Sequence, residues 1–89
     1  MIARMWEVRA VAGAVDELVE WVCTVAVPSI EERPGHVHSE VYASADRVVV
    51  VSSWRDEATD LPAAPSTLVA RPPHVWDFNL VDRESDVGR

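Results

Sequence analysis

The chain has 89 residues, of which 48% are hydrophobic, and a formal net charge of −7 at pH 7. This apolar content, with four tryptophans, excludes a disordered acidic chain and predicts one small domain, in which a binding cavity is hard to build without a second subunit. All eight basic residues are scattered arginines, so the basic patch that nucleic acids and anionic membranes require is missing, and we expect neither as a partner.

The first predicted elements are a strand and a helix. Residues 2–11 alternate between two faces, as a strand does, and Gly13 ends the alternation. A period near 3.6 follows and predicts an amphipathic helix. Its apolar stripe consists of Val15, Leu18, Val22, Val25, Ala26 and Ser29. Pro28 should kink this helix, because proline removes a backbone hydrogen bond, and Pro34-Gly35 ends it.

Two strands joined by a hairpin are predicted next. Residues 36–44 alternate again, which places the polar or aromatic side chains of His36, His38, Glu40 and Tyr42 on one face. The short linker SADR predicts a hairpin. The strand that follows, VVVVSSW, contains four consecutive valines and needs cover on both faces.

The last part of the chain is rich in proline. Prolines at 62, 65, 72 and 73 prevent a long helix, although residues 66–71 have room for one or two helical turns. Residues 74–82 predict a final strand, in which Trp76, Phe78 and Leu80 share one face. The sequence does not decide whether this face points to the helices or to the dimer partner. The segment 62–73 is either a loop that replaces a helix or a rigid lid, and in both cases we expect it at the rim of a pocket.

The order of elements predicts an α+β fold of the ferredoxin-like type, β-α-β-β-(short α)-β. Residues 1–83 form the domain and residues 84–89 a polar tail that we expect to fray. Helices cover only one face of such a sheet, whereas the central strands look apolar on both. We therefore expect a homodimer, in which a second copy covers the open face.

Cys23 is the only cysteine, so an internal disulfide and a cysteine-built zinc site within one chain are excluded. No apolar run approaches the ~20 residues of a membrane-spanning helix. The N-terminus alternates charged and apolar residues, unlike a signal peptide. These features predict a cytoplasmic protein.

Several segments resemble the antibiotic-biosynthesis monooxygenase-like group of the dimeric α+β barrel superfamily. They are the opening MIARMWEVRAVAGAVDELVEW, the helix end and strand VPSIEERPGHVHSEVY, the strand VVVVSSWRDEA and the closing HVWDFNLVD. The resemblance covers about residues 2–82. It implies two subunits that pair their sheets into a barrel, and a pocket between each sheet and its own helices.

The resemblance implies less about chemistry, because the group includes cofactor-independent oxygenases of polycyclic aromatic compounds, haem-degrading oxygenases and proteins without a known reaction. The haem-degrading branch uses an asparagine on the first strand, a position that falls at Trp6 here. It also uses a tryptophan and a histidine from the second helix, and after SSWRDEA no histidine occurs before His74. We therefore expect no haem degradation and no cofactor.

The candidate ligand-binding residues are Trp6, Arg4, Trp54 and Trp76, and the candidate catalytic residues are His74 and Arg4. Trp6 suits stacking on a flat ligand, although filling the core is about twice as common for such a residue. Arg4 suits an anionic or phenolate group, or it reaches water from the strand end. Trp54 is better explained as a structural plug. His74 suits a general base or only caps a loop.

His36 and His38 have the spacing of a two-histidine metal site, but the sequence offers no third confident ligand, so we predict no metal. Two functions remain open. One is a small cofactor-independent monooxygenase acting on an aromatic or polyketide-like compound. The other is a non-catalytic ligand-binding or assembly module on the same dimer.

Overall fold

The computed structural model describes residues 1–83, so the predicted tail at 84–89 lies outside the described residues. A single sheet carries one interrupted helix on one face. The elements in chain order are β1 (Ile2–Arg9), α1 (Val15–Trp21), a π-helical turn (Val22–Ala26), α2 (Val27–Glu31), β2 (His36–Ala43), β3 (Arg47–Trp54) and β4 (His74–Asn79). The strand periods therefore located all four strands, and β1, β2 and β4 each end earlier than predicted.

The sheet has four antiparallel strands in the order β2-β3-β1-β4. This order is compatible with the ferredoxin-like fold, in which the first and third strands occupy the centre. In β1, Trp6 pairs with Val50 of β3 and with Val75 of β4. Residues paired across antiparallel strands share a face, so these three side chains point to the helix side.

The core lies between the helix and this face of the sheet. It is formed by Trp6, Val8, Ala10, Leu18, Val22, Val27, Val48 and Val50. Alternate residues of β3 are buried, whereas Val49 and Val51 on the other face are only partly buried. The run of four valines is therefore covered fully on one face alone.

The helix differs from the predicted one at its centre. Five residues, Val22–Ala26, form a π-helical turn, and Val27 and Pro28 begin the α-helix that follows. Pro28 lacks the N–H that an uninterrupted α-helix would need at that position. A π turn inserts an extra residue relative to the α-helical period. It therefore shifts the buried stripe: Val27 and Ile30 are buried, while Val25 is 49% exposed and Ser29 is exposed. The predicted positions of Val25 and Ser29 were wrong.

A second irregularity occurs at the start of β2. His36 pairs with Trp54 and His38 with Ser53, so an extra residue bulges between the two histidines. The bulge reverses the alternation, and His36 lies on the helix side. There its ring packs edge-on against the ring of Trp54, with the ring centroids 5.1 Å apart. The prediction that His36 shares a face with His38, Glu40 and Tyr42 was wrong, because a bulge changes the period locally.

The second helix of a ferredoxin-like domain is replaced by an irregular segment, residues 55–73. The short helix predicted within residues 66–71 is one hydrogen-bonded turn, in which Leu68 N donates to Pro65 O at 3.0 Å. The chain then runs beside β1, and Ala70 N donates to Arg9 O at 2.8 Å. We call residues 60–73 the proline-rich segment.

Candidate functional site

A cavity of about 400 Å³ lies between the sheet and the proline-rich segment. It is lined by Trp6, Leu61, Pro62, Ala63, Ala64, Ser66, Val69, Ala70, Arg71, Pro72 and Pro73. An adjoining cavity of about 320 Å³ shares four of these residues and is also lined by Arg4, Asp60 and Val75. We call the two cavities together the Trp6 cleft. Its walls are apolar except for Arg4, Asp60, Ser66 and Arg71.

Trp6 forms the floor of both cavities. It is held by β1 between β3 and β4 and is almost fully buried, so its ring is fixed by packing. Only 5% of the residue is exposed, so a ligand could contact a small, rigid part of Trp6, with little loss of side-chain entropy. The structure thus places Trp6 in the core and at the cavity, and its contact with a ligand stays a prediction.

Arg4 lies on the same face of β1, and carboxylates surround it. Its Nε and Nη2 donate to the two oxygens of Asp77 at 2.7 and 2.9 Å, and its Nη1 donates to Asp60 at 2.6 Å. The bidentate bond to Asp77 is the main cause that raises the pKa of Arg4 and lowers the pKa of Asp77. Because these partners are already present, Arg4 is poorly placed to bind an anionic ligand group.

His74 lies on the opposite face of the sheet from the Trp6 cleft. It pairs with Glu7 of β1, and Glu7 lies on the face away from Trp6 because neighbouring strand residues alternate. The His74 Nδ1 atom is 3.4 Å from Glu7 Oε1. The imidazole ring packs edge-on against Trp76, with the ring centroids 5.6 Å apart. The two predicted catalytic residues, His74 and Arg4, are therefore not brought together.

Glu7 is the centre of a charged cluster that the sequence did not indicate. Its side chain is 9% exposed and accepts a hydrogen bond from Arg47 Nη1 at 2.8 Å, and Arg71 Nη2 lies 3.5 Å from the same oxygen, Oε2. Arg71 also lines the Trp6 cleft. The cluster therefore connects the cavity to the open face of the sheet.

The remaining two predicted ligand-binding residues lie outside the cleft. Trp54 is 0% exposed, and its Nε1 donates to Ser52 Oγ at 2.9 Å, as expected for a plug at the end of a strand. Trp76 pairs with Met5 and lies on the open face with Phe78. Of the four residues predicted to contact a ligand, the cleft therefore contains Trp6 and Arg4.

The histidines of β2 do not converge. His36 Nε2 is hydrogen-bonded to Ser39 Oγ at 2.7 Å, whereas His38 lies 3.5 Å from Glu40 on the other face. Within residues 1–83, no group of three or more His, Cys, Asp or Glu side chains has an arrangement that could hold a metal ion.

The proline-rich segment supplies most of the cleft lining, including Leu61 and Arg71, neither of which was predicted as a site residue. Sequence periodicity gave no signal for them, because the segment has no regular secondary structure. Its prolines did indicate the rim of a pocket, and the segment does line the cavity.

Comparisons with known proteins give no match: no protein-family model, no curated protein and no solved structure is similar to this chain. The resemblance to the monooxygenase-like group therefore remains a prediction from the sequence. In the part of the chain that the structure describes, no helix has the length and apolar character needed to cross a membrane. The cytoplasmic location likewise stays a prediction.

Proposed function

We propose that this protein is a homodimeric, non-catalytic small-molecule-binding module whose ligand is an apolar aromatic compound held in the Trp6 cleft. The observation that carries the proposal is the apolar cavity of about 400 Å³ between Trp6 and the proline-rich segment. Ligand pockets of proteins have volumes of roughly 300–1,000 Å³ and mainly apolar walls with few polar groups.

The composition of the walls indicates the ligand class. The lining combines Trp6 with the apolar residues Leu61, Ala63 and Pro73. An apolar lining that includes an aromatic ring favours an aromatic ligand over a sugar or a nucleotide, which would need several polar partners.

Binding is better supported than catalysis. A cofactor-independent oxygenase that removes a proton from its substrate needs a base within hydrogen-bond reach of that substrate. In the described chain, the cleft lining contains Asp60 as its one carboxylate and contains no histidine. Asp60 is bonded to Arg4, and His74 lies on the other face. A monooxygenase with this cleft would need a base from elsewhere.

The homodimer is supported by the open face of the sheet. On this face Trp76 and Phe78 of β4 and Tyr42 of β2 are about half exposed, beside the partly buried Met5 and Val51. An exposed apolar sheet face of this kind is a common interaction surface, and two such faces pack about 10 Å apart. We propose the pairing of dimeric α+β barrels, which the sequence resembles.

Calorimetric titration of the protein with naphthylmethanol, a neutral bicyclic aromatic probe, tests the binding function. Ala63 lines both cavities and is exposed, so Ala63→Phe should fill the cleft without disturbing the core. Ala45→Phe, at an exposed loop residue outside the cleft, is the matched control. We expect saturable heat with the wild type and Ala45→Phe, and none with Ala63→Phe.

An oxygen electrode distinguishes the binding module from the oxygenase. We expect no change of oxygen consumption when protein is added to polycyclic phenols that bind it. Protein-dependent oxygen uptake that Ala63→Phe abolishes would establish the oxygenase and contradict the non-catalytic proposal. The absence of saturable binding to the wild type would contradict both.

A further inference from the structure

We propose that the ligand of the Trp6 cleft is an aromatic acid whose anionic group binds at Arg71. The inference rests on the proposed function, since it names the chemical class of that ligand. It follows from the different charge balance at the two arginines of the cleft, Arg4 and Arg71.

The Arg4 end of the cleft has an excess of negative charge. One guanidinium faces two carboxylates, those of Asp77 and Asp60. Three of the guanidinium nitrogens are hydrogen-bonded to them. An anionic ligand group at this end would have to displace a carboxylate and would still face the other one. The Arg4 end therefore repels an acid.

The Arg71 end has the opposite balance. Glu7 accepts a hydrogen bond from Arg47 and shares the same oxygen with Arg71. The only further carboxylate in the ion pairs of this cluster among residues 1–83 is Asp46, which lies 3.4 Å from Arg9 and 3.7 Å from Arg47. Three guanidiniums, those of Arg9, Arg47 and Arg71, thus face two carboxylates.

Arg71 is incompletely hydrogen-bonded, as is Glu7, whose buried Oε1 has no hydrogen-bond partner in the described residues. Its contact with Glu7 is 3.5 Å, longer than a good charge-assisted hydrogen bond. Its Nε is enclosed and has no hydrogen-bond partner in the described residues. Its side chain is 35% exposed and lines the larger cavity. A planar guanidinium in this state suits a carboxylate, which accepts two parallel N–H bonds.

The charge of the chain as a whole does not favour binding of an acid. The net charge of −7 disfavours the approach of any anion. A neutral ligand of the same shape therefore provides the baseline, and tighter binding of the acid requires a specific cationic contact in the cleft.

The test is calorimetric titration with naphthoate and with its neutral counterpart naphthylmethanol at neutral pH and low salt. We expect naphthoate to bind the wild type roughly tenfold more tightly, which corresponds to about 1.4 kcal/mol. Arg71→Gln should bring the dissociation constants of the two probes to about the same value, so the readout is their ratio and not the affinity for naphthylmethanol alone. Arg55→Gln, at an exposed arginine that does not line the cleft, is the matched control, and it should keep the preference.

The outcomes separate this inference from the proposed function. If naphthylmethanol binds and naphthoate binds no more tightly, the acid specificity is wrong and the binding function stands. If Arg71→Gln keeps the preference, or if Arg55→Gln removes it equally, the position of the anionic group is wrong. If neither probe binds the wild type, the inference and the proposed function both fail.

Discussion

Trp76 and Val75 are neighbours on β4, and both are 45% exposed, but they lie on opposite faces of the sheet. If the open face is the dimer interface, Trp76→Ser should weaken the dimer and Val75→Ser should not. The two substitutions remove an apolar side chain at the same edge strand, so they form a matched pair.

The magnitude follows from the exposed area. A tryptophan side chain buries roughly 150–250 Å² when fully enclosed, so about 90 Å² of Trp76 is left for a partner to cover. At about 25 cal/mol per Å², each ring contributes about 2 kcal/mol, and the two copies together about 4–5 kcal/mol per dimer. The dimer dissociation constant should therefore rise roughly a thousandfold in Trp76→Ser.

Sedimentation equilibrium over a range of concentrations measures this change, and circular dichroism verifies that both variants are folded. We expect dimeric wild type and Val75→Ser, and monomeric, folded Trp76→Ser at the same concentrations. Equal dissociation constants for the two variants would refute the assignment of the open face as the interface.

Three further predictions concern the fold and its charges. Ile30→Ala should lower the free energy of unfolding by about 2–5 kcal/mol, whereas Val25→Ala should change it by less than about 0.5 kcal/mol. Urea denaturation measures both changes, and a larger effect of Val25→Ala would contradict the shift of the buried stripe at the π turn. Asp77→Asn should lower stability at neutral pH by up to about 1 kcal/mol. Because bonding to Arg4 lowers the pKa of Asp77, this contribution is present above the unfolded-state pKa and is lost as the pH falls through the folded-state pKa. Thermal melts across the acid range should therefore show the stabilities of the wild type and Asp77→Asn converging. A constant difference between them would count against the ion pair. Glu7→Gln should cost about 1–3 kcal/mol in urea denaturation, because it leaves guanidiniums without their carboxylate, and unchanged stability would show that the buried cluster is not stabilising.

Strand and helix periods were sufficient to predict the number and order of the strands, because each strand alternates clearly or is rich in valine. They failed where one residue is inserted. The π turn before Pro28 moved Val25 out of the core, and the bulge in β2 separated His36 from His38. Both are local changes of period that a uniform pattern does not show.

The candidate site was predictable only where it lies on a strand. Trp6 and Arg4 were found because β1 alternates, and both residues line the smaller cavity. The ion pairs of Arg4 with Asp60 and Asp77 involve residues distant in sequence and were not predictable. The same holds for Arg71, which reaches Glu7 through a segment without regular structure.

A crystal structure of the wild type with naphthylmethanol would test the ligand site most directly. The proposed function predicts electron density for the probe between the ring of Trp6 and the side chains of Leu61 and Ala63. Density for the probe on the open face near Trp76 and Phe78, with the cleft empty at saturating probe, would contradict it.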